Sequence, residues 1–567
     1  MKRIFLSLAL AATMLPATTG RTAVVGPCVG SDGTPDRVVT GTFPKELMGS
    51  YVQVPFYVPA DSTRVRVKIC YDQPDVQIAV PGVVTVKKTL DLGIYQPLAP
   101  GDTAYGEKEF RGWGGSSRPN VLITPEASTT VGFLPGPIPD GWWAAEIGVA
   151  AVTTPTEGDL DSSVNWRLEF YTDSLASDLD NPFQPVPYDS APAKAGPGWY
   201  KGDMHVHARN SNPTDATMRE AFDYAFKHAG LDFFTLSDYV TDRSWDEIGS
   251  YQADYPGHLI VRSTEVITYR GHINNHASLR YVDYRTGAIW LRRDDGVLVP
   301  VRGAQPASRI FDDIHAAKDA AGASRGWTQV NHPTIFPAVV PAFGNFCRGC
   351  SWAYSDAETD WSKVDAFEVS TGPAGLAKPK GSEPGPNPFT PLAIAWYDHI
   401  RSMGFDVTAV GSSDSHHAGN RDLLSAPIGV ATTVVYAREL SEAGVRDAIL
   451  AGHAYVKFFS PDGPDLRFTA VPGGGGPAVM MGDELVAKRA TFTARVFNAA
   501  KSLEPRVLLV MRDGVPVLAF PVTKADQTFS FPGLPSGDYR LQLMRGTAFE
   551  ALSNPITFVS SRVPALS

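Results

Sequence analysis

The spacing of apolar positions divides the chain into three stretches. From Val24 to about Phe170, short runs alternate apolar with polar residues and are cut by Gly and Pro, as in TRVRVKICY, VVTVKKTLDL and GWWAAEIGVAAV. Side chains on a strand repeat every second residue, so such runs at close spacing predict a β-sandwich over 24–179. Residues 180–198, DNPFQPVPYDSAPAKAGPG, are rich in proline and small residues and read as a linker. From 199 to 462 the period changes. TDATMREAFDYAFKHAG sets Met218, Phe222, Phe226 and Ala229 on one helical stripe and ends at Gly230. PASRIFDDIHAAKDAAG, PLAIAWYDHIRSMG and LSEAGVRDAILAG repeat that pattern between apolar strands. Strand–helix alternation predicts an α/β domain with a mainly parallel sheet, open or closed into a barrel. From 463 to 567 strands return in ATFTARVF, RVLLVMRDGVPVLAFPV and GDYRLQLMRG, with a hairpin turn at RDGVPV. A small immunoglobulin-like sandwich is expected there.

In the middle stretch, strand after strand ends on a residue able to bind metal. GDMHVH delivers His205 and His207, LDFFTLSD ends at Asp238, and HLIVRSTE ends at Glu265. GWTQVNH ends at His332, and DVTAVGSSDSH delivers Asp414 and His416. The carboxyl ends of parallel barrel strands share one face, so these residues would converge in one cleft. A single His or Asp after a strand is usually a turn or cap residue; five strand ends in register are a different signal. Mixed His and carboxylate donors suit zinc, manganese or iron. His228, His258, His315, His399 and His453 lie on helices or away from strand ends and are set aside.

Composition narrows the field. The 567 residues carry a net charge of −10, which argues against nucleic acid as a partner. The start, MKRIFLSLALAATMLPATTG, has the basic residues, short apolar run and small residues of a signal peptide over 1–23. No later segment is apolar for long enough to span a membrane, so a soluble periplasmic or secreted protein is expected. Export permits disulfides. Cys28 and Cys70 could pair, and CRGC at 347–350 reads as a loop staple rather than a zinc or redox site, having no second CxxC and no helix behind it.

Taken together, GWYKGDMHVHARNSN, LDFFTLSDYV, STEVITYRGHINNH, QVNHP and GSSDSHH resemble the motifs of the PHP (polymerase and histidinol phosphatase) metallohydrolases over about 198–460. The layout, with a β domain on each side, is similar to the carbaryl-hydrolase-like (CehA/McbA) branch. The resemblance implies a distorted (β/α)7 barrel with His205, His207 and Asp414 on a first metal, Glu265 bridging, and His332 on a second. It also implies one more second-metal ligand near GHINNH. His272 is preferred and His276 held in reserve, with Asn274 alternating between them. His416 falls at a third site or in the cleft. Two departures bear on metal number. The family's Thr-Asp-His is here Ser237-Asp238-Tyr239, and Ala208-Arg209-Asn210 follows the HxH pair without a nearby histidine. Two divalent ions are therefore expected, not three. Asp238 is expected to orient a neighbour, and Tyr239 either to aim its hydroxyl at the cleft or simply to fill space.

The implied reaction is hydrolysis of a small-molecule ester, carbamate or phosphoester by a metal-bridging hydroxide. Arg209 would stabilise the developing charge, and His416 or Tyr239 would deliver a proton. A different class of function stays open: a non-catalytic, metal-stabilised cell-envelope protein that binds through its β domains.

Overall fold

The structure is a computed structural model. It describes residues 25–561 except 31–32, 73–75, 81–82, 87, 104, 156–158, 160, 240, 293–297, 321, 323, 338–347, 373–387, 422–424 and 534. The expected signal peptide and Cys347 lie outside the described residues. Cys28 and Cys70 form a disulfide with Cα atoms 5.5 Å apart. Cys350 is disulfide-bonded as well. No helix among the described residues is long and apolar enough to cross a membrane.

Beside a separate two-stranded sheet, Val76–Val80 with Val83–Val86, the N-terminal stretch forms two larger antiparallel sheets. One orders Arg37–Pro44, Ser163–Asp173, Arg64–Tyr71 and Asn120–Ile123. The alternation in RVRVKICY turns Val65, Val67 and Ile69 inward, where they meet Val54, Phe56 and Ile147 of the second sheet. That second sheet contains strands from two parts of the chain. Its order is Arg285–Arg292, Leu298–Ala304, Tyr51–Val58, Gly141–Ala151, Thr89–Tyr95 and Phe110–Trp113. The first two form a hairpin from inside the 199–462 stretch, joined through Val301 opposite Val52 and Arg302 opposite Tyr51. The division at residues 180–198 is therefore one of chain order, and the sheet crosses it.

Arg285 locks this junction. It is fully buried, ion-paired with the fully buried Glu146, and ringed by Tyr51, Trp113 and Tyr284 at 4.1–5.0 Å. Its other nitrogens donate to the hydroxyls of Tyr281 and Tyr284. Replacing it with leucine leaves the buried Glu146 carboxylate with only the more distant Arg302, 4.0 Å away, as counter-charge. Arg285→Leu should cost about 3–5 kcal/mol in urea unfolding. The double variant with Glu146→Gln should recover most of that; no recovery would mean that the pair is not what holds the hairpin.

The middle stretch is a mixed α/β domain with a large mixed sheet. Its strands run Thr408–Gly411, Ala366–Ser370, Trp327–Val330, Gly271–His276, Leu259–Thr268, Phe233–Leu236, Gly198–Val206 and Thr432–Ala437. Gly271–His276 and Thr432–Ala437 run antiparallel to their neighbours; the other six run one way. The first and seventh strands of this order are drawn together at their carboxyl ends, where Asp414 N–H donates to His205 O and His207 N–H to Ser415 O, both at 2.9 Å. The expected helix at 214–230 is shorter than its stripe. A capping box of Thr217 and Glu220 starts an α-helix at Met218, which loosens into a π turn over Tyr224–His228. The helix Arg243–Gln252 has no counterpart in the apolar pattern, because Ile248 is its only buried apolar residue.

The sheet continues into the C-terminal stretch. Ala454–Lys457 pairs with Ala548–Ser553, followed by Gly537–Arg545, Arg506–Arg512 and Val515–Val522. At the RDGVPV turn, Asp513 and Gly514 take φ of 51° and 75°, as a two-residue hairpin of this kind requires. A four-stranded sheet packs against it, sharing Phe468, Phe492, Leu541 and Phe558 in one core.

Candidate metal centre

Five strands deliver one cluster. His205 and His207 leave the end of Gly198–Val206 with both rings fully buried and their Nε2 atoms 2.9 Å apart. Glu265, on Leu259–Thr268, lies beneath them. Its Oε1 is 3.4 Å from His205 Nε2 and 3.2 Å from both His272 Nδ1 and His332 Nε2, and its Oε2 is 3.5 Å from His207 Nε2. Asp414 closes one side, with Oδ1 3.1 Å from His207 Nε2, 3.6 Å from His205 Nε2 and 3.7 Å from His416 Nε2. His332 and Asp414 both sit at positive φ, 29° and 50°. Such backbone is held only where its surroundings over-determine it, and here it turns both side chains into the cluster.

The outward nitrogen of each histidine is tied to an oxygen. His205 Nδ1 donates to Glu368 at 3.0 Å, and His332 Nδ1 to the Cys350 carbonyl at 2.8 Å. His272 Nε2 donates to the Arg348 carbonyl at 3.1 Å. His207 Nδ1 lies 2.9 Å from the Ser211 hydroxyl, whose one proton goes to Asp238 at 2.8 Å, so Ser211 accepts from His207. In every case the far nitrogen holds a proton, so the nitrogen facing Glu265 is the one left to bind a metal. This is how metal-binding imidazoles are oriented.

Charge balance points the same way. Burial opposes charge on every member, yet Glu265, Asp414 and Glu368 together lift His205 well above its ordinary value. Burial likewise works against His332, but the hydrogen bond with Glu265 and the charge of Asp414 lift it to about 9. His207 goes the other way, to about 4, through burial and the neighbouring His416. The charges of His205 and His272 hold Glu265 well below the usual carboxylate range against its burial. The cluster is a buried set of carboxylates that draws positive charge inward.

Donor atoms of His205, His207 and Glu265 lie within 4.8 Å of one another, as do those of His207, Asp414 and His416. A third group, His272, His332 and Cys350, meets the same limit. Cys350 is disulfide-bonded and offers no thiolate, so that group is its two histidines, both facing Glu265. The chain thus carries His, Asp and Glu clusters consistent with metal binding.

Not every expected residue joins the cluster. His276 turns away: its Nε2 meets Gln329 at 3.2 Å and its ring stacks on Trp327 at 3.8 Å. A strand rises about 3.3 Å per residue, so His276 shares a face with His272 but stands about 13 Å along it. Arg209 is exposed and enters the site only through its backbone; among the described residues its side chain pairs with none of the cluster. Asp238 touches no ligand nitrogen. It accepts from Ala208 N–H and from the hydroxyls of Ser211 and Ser244, and burial raises it to about 6. Tyr239 reaches His416 Nε2 with its hydroxyl at 3.1 Å, and Asp215 takes His416 Nδ1 at 2.8 Å. Glu368, on Ala366–Ser370, is buried; it joins His205 to Gln329 and the His332 amide. Ser211, Asp215 and Asn331 were not singled out from the sequence, and nothing in their local pattern separates them from turn residues.

No protein-family model matches the chain, and no curated protein does. Among solved structures, the chain is similar to a two-domain protein from Bacteroides vulgatus described as containing a predicted PHP-like metal-dependent phosphoesterase. The identity is 14%, covering 66% of this chain and 99% of that one, with a TM-score of 0.33. It is also similar to a candidate metal-dependent phosphoesterase from Bifidobacterium adolescentis, at 13% identity over 44% of this chain and 95% of that one, with a TM-score of 0.24.

Proposed function

We propose that this is an exported metal-dependent hydrolase of the PHP superfamily, in its carbaryl-hydrolase-like branch, acting on a small ester, carbamate or phosphoester. On this reading residues 199–462 are a distorted (β/α)7 barrel between an N-terminal β-sandwich and a C-terminal immunoglobulin-like one. His205, His207, Glu265 and Asp414 would hold one divalent ion, and Glu265, His272 and His332 a second. Ions there supply Lewis acidity and bring the pKa of water toward neutrality.

The observation that carries the reading is the one-sided opening of the cluster. His205, His207, His332 and Glu265 are 0–2% exposed, whereas Asp414 and His416 are 17% and 25% exposed. An ion with a purely structural task is enclosed by protein ligands, while a catalytic one keeps an open side. The opening therefore favours catalysis over a scaffold whose β domains do the binding.

The residues at that opening handle protons. Asp215 holds the His416 ring so that Nε2 faces the Tyr239 hydroxyl and Asp414. Burial opposes a charge on His416, but Asp215 and Asp414 raise its pKa, so it can carry a proton to a leaving group. Burial and the nearby carboxylates keep the Tyr239 phenol protonated at neutral pH. Tyr239→Phe should lower kcat about 100-fold for substrates with alkoxide leaving groups. Nitrophenyl substrates, which leave without a proton, should lose much less; an equal loss on both would remove Tyr239 from proton delivery.

The direct test measures metal per chain and assays an aryl ester, an aryl carbamate and an aryl phosphate before and after chelation. Two ions and a chelator-sensitive turnover are expected, and the best substrate separates carbon from phosphorus chemistry. One enclosed ion with no turnover would overturn the reading.

A further inference from the structure

The loop after the HxH pair is held from outside its own domain. Arg118 lies between the strands Phe110–Trp113 and Asn120–Ile123 of the N-terminal sheets and is 4% exposed. Its guanidinium donates to the carbonyls of Ser211 and Arg209, both at 2.5 Å. Among the described residues it makes no ion pair with any carboxylate. Burial lowers its pKa to about 10, with Asp238 and Asp215 opposing that shift from a distance. A buried guanidinium is costly unless its donors are used, and here the partners are two carbonyls of one short loop. A second tie runs alongside. Gly132 N–H donates to Asn210 Oδ1 at 3.1 Å, while Asn210 Nδ2 donates to Ser244 at 3.0 Å and Glu247 at 3.1 Å. Gly132, at φ 87°, lies so close that an added Cβ would stand 2.6 Å from the Asn210 carbonyl oxygen.

This loop carries Ser211, whose hydroxyl is the hub behind His207. It accepts from His207 Nδ1–H at 2.9 Å and from Tyr239 N–H at 3.0 Å, and it donates to Asp238. We propose that Arg118 is a positioning residue for the metal centre. Clamping the carbonyls of Arg209 and Ser211 fixes the Ser211 hydroxyl, and the hydroxyl keeps the His207 proton on Nδ1 and its lone pair toward Glu265. The N-terminal sheets then help to set the geometry of the barrel's site. This rests on the reading of the cluster as a metal centre.

The test uses the full chain with Arg118→Ala, Arg118→Lys and Arg111→Ala. Arg111 is an equally buried arginine of the N-terminal sheets, but its donors go to Leu134, Gly136, Pro137 and Gln96, away from the loop. Zn²⁺ affinity is read by competition with a chromophoric chelator, the thermal midpoint by scanning, and amide exchange over residues 207–216 by mass spectrometry. Outer groups that orient metal ligands are worth about 10–100-fold in affinity, so Arg118→Ala should weaken Zn²⁺ binding by that factor and speed exchange in 207–216. Arg118→Lys, which keeps the charge but donates from a single nitrogen, should fall between. Arg111→Ala should lower the thermal midpoint with affinity within about twofold, since it breaks none of the ties behind His207. Wild-type affinity in both Arg118 variants, or an equal loss in Arg111→Ala, overturns the proposal. If the wild type takes up no Zn²⁺, the metal-centre reading fails on its own. Exchange in 207–216 then still decides whether Arg118 clamps the loop.

Discussion

Glu265→Gln is expected to reduce hydrolysis at least about a thousandfold and to cut bound metal below two per chain. Several kcal/mol of charge stabilisation are at stake, and each 1.36 kcal/mol is a factor of ten. The substitution keeps the volume. Asn331 Nδ2 already donates to Oε1 at 2.9 Å, so the new amide nitrogen must take the Oε2 place, facing His207 Nε2. That puts a donor where a bridging carboxylate oxygen stood and removes the one negative charge shared by four histidines. Folding should survive, because Glu265 contributes no apolar contact to the core. Circular dichroism and metal analysis on the same sample check this. A variant that keeps two ions and turns over normally would remove Glu265 from the centre of the mechanism. Glu368→Gln, one layer out behind His205, should cost only about 10–100-fold in metal affinity.

Between pH 6.5 and 9, the chelated protein should lose stability while the metal-loaded protein stays nearly level. Without metal, His332 is lifted from 6.5 to about 9 by its Glu265 hydrogen bond and Asp414, despite burial, and His205 moves the same way. A group raised in the folded state stabilises fully below its unfolded pKa and stops doing so as pH climbs through the folded one. The chelated protein should therefore lose about 3 kcal/mol from His332 alone across that window. Glu265 and Asp414 are shifted downward, so their share is lost only in acid and does not enter it. Metal needs the same nitrogens free of protons. With His205 and His332 both protonated at pH 7, binding should release about two protons per chain, so affinity should rise about 100-fold per pH unit. Urea unfolding in chelator and in excess Zn²⁺, at both ends of the window, reads the two slopes. Parallel slopes would mean that these histidines are not the ligands.

Much of the cluster is legible in the sequence because metal chemistry accepts few residue types. An imidazole or carboxylate at the carboxyl end of an apolar run stands out, and five strands supply one. What is not legible has physical reasons. His272 and His276 share the strand period, and the strand pairing sets Asn274 opposite Glu265 with one histidine two residues to each side. Only the side-chain contacts separate them, His272 meeting Glu265 and His276 meeting Gln329 and Trp327. Arg209 follows the HxH pair and looks like a cation for the cleft, but the loop turns at that residue and spends its carbonyl on Arg118. Ser211, Asp215 and Arg118 belong to residue types that serve turns and surfaces everywhere, and their tasks exist only once distant segments meet. The π turn at Tyr224–His228 and the helix Arg243–Gln252 escape the apolar pattern for a related reason. Each is positioned by neighbours more than by a stripe of its own.

The hairpin at 285–304 also sets a schedule. Apart from that hairpin, its sheet comes from residues 51–151, so in a chain made from its N-terminus the Tyr51–Val58 edge stands open long after its other partners have arrived. At 5–20 residues per second, that wait is on the order of 10 s, and an open apolar edge is a template for wrong partners throughout. A chain kept extended until complete never passes through that interval. A fragment cut within 180–198 never leaves it.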